Sequence, residues 1–143
     1  MKEKILVSAC LLGEPCRYDG RSVPCEGVLT LNEKYDFVTV CPEVAGGLST
    51  PRIPSERLFS RVVNKSGEDV SENYNMGAKF ALDLCRKHGI KLAILKERSP
   101  SCGSNMIYDG TFSGKLISGN GVTASLLKEN GIRVISEAEI DSL

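Results

Sequence analysis

Four short, nearly continuous apolar runs, separated by helix-forming stretches, constrain the fold more than any other feature of this chain. They lie at residues 4–9 (KILVSA), 37–40 (FVTV), 90–95 (IKLAIL) and 132–135 (IRVI). A strand with one wet face alternates apolar and polar residues, whereas a strand covered on both faces reads as an unbroken apolar run. Runs of this kind alternating with helices predict an α/β chain: a single domain with a mostly parallel sheet flanked by helices and its site at the carboxyl edge of the strands. A length of 143 residues is enough for one such core and too short for two ordinary domains.

The helical pattern is clearest before the third run. Asp69 with Glu72 three residues on predicts a capping pair. Val70, Tyr74, Gly77, Ala81 and Leu84 then fall on one stripe, with His88 in the last turn and Gly89 as the stop. A second helix is predicted from Gly121 to Glu129, with Val122, Leu126 and Leu127 inward and Gly131 as its stop. A shorter one covers residues 24–32, and Ser136 with Glu139 predicts a capping box near the carboxyl terminus. Residues 106–118 contain Asp109-Gly110, a hairpin turn signal. Residues 45–58, with Gly46-Gly47, Pro51 and Pro54, read as a long loop, and long loops in small domains usually carry function.

Charge and hydropathy narrow the function classes. Eighteen Lys and Arg balance eighteen Asp and Glu, so there is no broad basic field for a nucleic acid polymer. No apolar run approaches the length of a membrane span, and the first run begins without room for a signal peptide. The expectation is a cytoplasmic protein with a small-molecule partner. In that compartment six cysteines point to metal binding or catalysis rather than disulfides.

Three cysteines follow the first three runs. Cys10 and Cys41 come directly after the first and second, and Cys102 lies seven residues beyond Leu95. The carboxyl ends of parallel strands share one edge, where ligands bind, so the strand pattern allows these thiols to meet. No C-x-x-C pair occurs, and the one histidine, His88, sits at a predicted helix end, which disfavours a closed zinc site. Soft thiolates suit iron–sulfur clusters, and three ligands would leave one iron open. Spacing alone leaves a metal or cluster and buried free thiols both open. Glu43, two residues past Cys41, is a candidate general base. Ser99 and Ser101 before Cys102 are candidate proton carriers.

Four ordered motifs then carry a resemblance. They are Ser8-Ala9-Cys10-Leu11-Leu12-Gly13 with Cys16-Arg17-Tyr18-Asp19-Gly20; Cys41-Pro42-Glu43 with Gly46-Gly47-Leu48 and Pro51-Arg52; Glu97-Arg98-Ser99-Pro100-Ser101-Cys102-Gly103; and Gly121-Val122-Thr123-Ala124. Together, from Val7 to about Ile135, they resemble the thiouracil desulfurase (desulfidase) family, long labelled a bacterial domain of unknown function. The resemblance implies a [4Fe-4S] cluster on Cys10, Cys41 and Cys102. It implies an open iron for the thiocarbonyl sulfur of a substrate such as 2-thiouracil, with Glu43 and Ser99 as catalytic residues. The implied reaction is a non-redox carbon–sulfur hydrolysis that releases sulfide. It names no sulfur acceptor.

Cys16, Ser101 and Arg52 are secondary candidates: Cys16 as a fourth ligand or sulfur carrier, Ser101 as a cap or donor to the cluster. Arg17, Arg52 and Arg98 either recognise an anion or tie loops to carboxylates such as Asp19 and Glu97. Gly119-Asn120-Gly121 reads as a tight turn or an anion site at a helix start. Cys85 reads as core filler, Cys25 as incidental and His88 as a helix-end cation. The competing function is a non-catalytic metal- or cluster-binding module. A thiol redox protein is disfavoured because C-x-x-C is missing.

Overall fold

The computed structural model describes residues 2–143 and, of Ser142, the backbone. Four strands form one parallel sheet: β1 (Glu3–Ser8), β2 (Tyr35–Val40), β5 (Leu92–Leu95) and β8 (Arg133–Ser136), in the order β2-β1-β5-β8. Each contains the core of one of the four apolar runs. β1 explains why the runs lack alternation. Ile5, Leu6 and Val7 are all fully buried, but Ile5 and Val7 face one layer and Leu6 the other.

The layer on Leu6 is built by α3 (Ser71–His88) and α4 (Val122–Glu129), through Ala81, Leu82, Cys85, Ala124 and Leu127. The opposite layer is built by α1 (Glu26–Leu29), the 3-10 turn Ala9–Leu12 and the carboxyl-terminal 3-10 turn Glu137–Ser142, through Leu11, Val28 and Ile140. At roughly 25 cal/mol per Å2 of buried apolar surface, such two-sided burial is the main force holding the sheet. The fold is thus the predicted small α/β unit. No described helix is long and apolar enough to cross a membrane.

Glycines set how closely two elements approach. The short helix α2 (Pro42–Ala45) lies on α3 at Gly77, where an added Cβ would overlap the Pro42 carbonyl; Gly46 meets Asn73 in the same way. Asn73 Nδ2 donates to the Gly46 carbonyl at 2.8 Å and fastens the contact.

Several sequence expectations need correction. α3 has no capping pair: Val70 is its cap residue without a side-chain bond, and Asp69 instead accepts the Ser71 amide at 2.9 Å. Its buried stripe runs through Tyr74, Gly77, Ala78, Ala81, Leu82 and Cys85, while Leu84 is only partly buried. Part of the expected loop at residues 45–58 is a strand: β3 (Ser55–Leu58) pairs antiparallel with β4 (Arg61–Asn64). The second hairpin exists as β6 (Met106–Tyr108) and β7 (Leu116–Ser118), but Asp109-Gly110 opens a longer loop instead of forming a two-residue turn. The capping box of Ser136 and Glu139 is present, and Gly89 ends α3 in the left-handed conformation, as expected.

Candidate active site

The ends of β1, β2 and β5 lie side by side, with Ser8 opposite Val40 and Val7 opposite Ile94. The chain after each strand therefore enters the same space. A cleft of about 490 Å3 opens there. Cys10, Cys16, Cys41 and Cys102 all line it, together with Glu43, Arg52, Ser99 and Ser101. Every primary and secondary site residue expected from the sequence is thus in one cleft. Cys25, Cys85 and His88 are not among its walls.

Local structure places each thiol. Cys10 sits on the 3-10 turn Ala9–Leu12, and Cys41 stands at the cap of α2, with Pro42 at the first helical position. Cys102 lies on a loop that α4 grips. The amides of Gly121, Val122 and Thr123 donate to the carbonyls of Gly103, Pro100 and Ser101 at 2.7, 2.9 and 2.8 Å. A Cβ at Gly121 would collide with the Ser101 backbone, so this approach requires glycine. The expected choice at Gly119-Asn120-Gly121 is thereby decided: the first amides of α4 are spent on the Cys102 loop and cradle no anion.

Glu97 organises the other end of that loop. Its Oε1 accepts the amides of Arg98, Ser104, Asn105 and Met106, and its Oε2 accepts Asn105 Nδ2 at 2.8 Å. Burial alone would raise the Glu97 pKa. The donors from Asn105, Met106 and Arg98 outweigh it and hold the carboxyl below its ordinary range. Arg98 takes the left-handed backbone conformation at φ 70°, where the chain leaves β5 and turns over the cleft. Of the three arginines, Arg17 reaches Asp19 only at 3.8 Å and Arg52 is bound to Glu43. Glu97 meets Arg98 through the backbone amide.

The thiols share an environment. Cys16 is pushed up to about 11, chiefly by its contact with the Cys10 thiol; Cys41 beside it acts in the opposite sense and burial adds to the rise. Cys41 is also raised, first by the Cys16 thiol and then by burial. Burial pushes Cys102 up to about 12, and the Ser8 and Ser101 hydroxyls beside it act in the opposite sense. Ser8 Oγ accepts the Lys96 amide at 3.0 Å, which leaves its proton for Cys102 Sγ at 3.4 Å. Without a metal Cys102 is therefore held as a neutral thiol, and the Ser8 hydroxyl is the donor already aimed at its sulfur.

Glu43 is 13% exposed by its side chain and receives four donors. Arg52 Nε (3.2 Å) and the Tyr74 hydroxyl (2.8 Å) bind Oε1. Ser101 Oγ (2.9 Å) and Ser99 Oγ (3.3 Å) bind Oε2. Ser99 Oγ itself accepts the amides of Ser101 and Cys102, so its proton points to the Glu43–Ser101 side. Ser101 Oγ also stands 3.5 Å from Cys102 Sγ, linking carboxylate to thiol. Tyr74 was legible in the sequence only as a member of the helix stripe. Its phenol is raised by burial and by the Glu43 carboxylate.

No three His, Cys, Asp or Glu side chains among the described residues are disposed to hold a single metal ion. Four thiols instead line one cleft. A multi-iron cluster needs that arrangement: soft thiolate donors spread around a cube, with hydrogen bonds to the sulfurs. The donor set fits an iron–sulfur cluster.

A family model described as 2-thiouracil desulfurase matches residues 5–139. The chain belongs to the 2-thiouracil desulfurase family. The match extends at both ends beyond the span that the motifs alone marked. An uncharacterized protein of Bacillus subtilis (strain 168), YbbK, is similar at 47% identity, covering 97% of this chain and 99% of the relative. Among solved structures, one described as the [4Fe-4S]-dependent thiouracil desulfidase TudS is similar with a TM-score of 0.94 and 50% identity. The alignment covers 99% of this chain and 95% of that one. A member of the 2-thiouracil desulfurase family thus has its thiols, carboxylate and hydroxyls on the carboxyl edge of the sheet.

Proposed function

We propose that this chain is a [4Fe-4S]-dependent desulfidase that removes sulfur from thiouracil by hydrolysis, with Cys10, Cys41 and Cys102 holding the cluster. The observation that carries the reading is the shared cleft: these three thiols and Glu43 line one space at the carboxyl edge of the sheet. Family membership and the 50% identical desulfidase support it. When bound, the cluster supplies an open iron, a Lewis acid suited to soft sulfur.

The chain's own residues supply the rest. Glu43 Oε2 holds the attacking water and takes its proton as general base. Ser99 and Ser101, already bonded to that oxygen, carry the proton onward toward the leaving sulfur. Cys16 lies against Cys10 and Cys41 and serves as a neighbour of the ligands, outside the ligand set. The overall change is thiocarbonyl plus water to carbonyl plus hydrogen sulfide, with no electron gained or lost. The working unit is the single domain of residues 1–143, acting on a small molecule without a nucleic acid polymer or a membrane. Cluster chemistry of this kind suits the reducing cytoplasm.

Anaerobic reconstitution with iron and sulfide tests the reading. Wild type should take up four irons per chain, as in a [4Fe-4S] centre, and release sulfide from 2-thiouracil. Changing Cys10, Cys41 or Cys102 to Ser should abolish iron uptake, and Cys16→Ser should keep it. Glu43→Ala should keep the iron and its broad visible absorbance yet stop sulfide release. A Glu43→Ala chain that turns over at the wild-type rate would refute the mechanism.

A further inference from the structure

We propose that Tyr74 is a positioning residue for the reaction: its hydroxyl, with Arg52, holds Glu43 by Oε1 so that Oε2 alone is presented to the reacting centre. The inference deepens the proposed function and rests on Glu43 acting there as the base.

The two oxygens of Glu43 have separate surroundings. Oε1 faces Tyr74 and Arg52, and Oε2 faces Ser99 and Ser101. The second set meets a thiol directly, through Ser101 to Cys102, whereas the first reaches one through a backbone group, the Cys16 carbonyl that accepts both Arg52 and Cys41 Sγ. A carboxylate held on one oxygen by a single donor can still swing about its terminal bonds. Donors on both oxygens, from three separate parts of the chain, fix its plane. Tyr74 comes from α3, Arg52 from the loop after α2, and the serines from the loop after β5.

Tyr74 is suited to such a role by its rigidity. It is 1% exposed, and a buried phenol has to find a hydrogen-bond partner. It sits on α3, the longest helix, facing α2, which carries Glu43. The approach of these two helices is set by backbone contacts at Gly77 and Gly46, so the distance from Tyr74 to Glu43 is governed by the fold rather than by flexible side chains. Arg52 is equally restrained. Its side chain is 7% exposed, and its other nitrogens donate to the carbonyls of Cys16 and Ser49 and to Thr50 Oγ1. Arg52 therefore ties the base to the Cys16 turn beside the thiols. A general base must sit within hydrogen-bond reach of its water, and small misplacements cost much of the rate.

The test is Tyr74→Phe, which removes one oxygen and keeps the ring. After anaerobic reconstitution, iron content and visible spectrum should equal wild type, KM for 2-thiouracil should stay within about twofold, and kcat should fall about tenfold. In the cluster-free chain, Tyr74→Phe should lower the urea midpoint, and that shift should shrink in a Glu43→Ala background, where Ser55 remains as a partner of the hydroxyl; the reduction marks a direct coupling of Tyr74 and Glu43. A wild-type kcat, a fall in kcat matched by loss of iron, or a midpoint shift undiminished without Glu43 would each overturn the inference. If Tyr74→Phe does not fold, Arg52→Lys is expected to show the same fall in kcat with iron retained, and a wild-type kcat there would overturn it. The base reading fails separately: Glu43→Ala would then turn over normally whatever Tyr74→Phe does.

Discussion

The Ser8 hydroxyl stands 3.4 Å from Cys102 Sγ, although 94 residues separate the two along the chain. The contact joins the end of β1 to the loop beyond β5 across adjacent strands. It also tunes a ligand, because a donor to a metal-bound thiolate draws electron density from the metal.

Ser8→Ala should therefore lower the reduction potential of the loaded centre while iron uptake persists. The Lys96 amide would lose its acceptor, at a cost of about 1–3 kcal/mol in stability. Potentiometric titration followed by visible absorbance reads the first effect and urea unfolding the second. An unchanged potential would remove the assigned role of Ser8.

Gly77→Ala should destabilise the chain by about 1–3 kcal/mol or more, because the new methyl meets the Pro42 carbonyl and nothing there is flexible. Alanine favours helices, so a propensity argument alone gives the opposite sign. A lower urea midpoint with an unchanged slope is the expected result. A gain in stability would show that α2 does not rest on α3 at that point.

Glu97 should make stability fall in acid. Its carboxyl is more acidic in the folded chain than in the unfolded one. Its contribution is therefore full above the ordinary glutamate value, roughly pH 4.3, and is lost as pH drops through the lower folded value. Glu97→Ala should cost about 1–3 kcal/mol at neutral pH, since several loop amides lose their acceptor. Urea midpoints measured between about pH 7 and about pH 3 should show the variant and wild type converging at the acid end. A constant gap would contradict the assignment.

The central sheet and the two longer helices were legible because their signals are local. A buried parallel strand announces itself in four to six residues, and Gly89 marks the end of α3 without reference to the rest of the chain. Cysteines directly behind such strands made the shared cleft derivable from topology. The hairpin of β3 and β4 was missed because Ser55–Leu58 (SERL) has no fully buried position and follows a Gly- and Pro-rich stretch.

What the sequence hid were partnerships. Arg52 was expected to bind a carboxylate or an anion, but Glu43, nine residues earlier, was not foreseen as its partner. Tyr74 counted as one apolar stripe member because a phenol's acceptor, here 31 residues away, leaves no trace in local periodicity. Cys16 followed Cys10 by six residues, a spacing that carries no ligand signature, and only the folded turn brings it against two other thiols.

The clasp of α4 on the Cys102 loop has a consequence during synthesis. A ribosome that has delivered residue 102 has already made all three proposed ligands, yet the third is held by amides of residues 121–123 that do not yet exist. The third sulfur is clasped on that side once residues 121–123 have been made, and a chain cut short after β7 would keep the Ser8 and Glu97 contacts of the loop but lose the clasp.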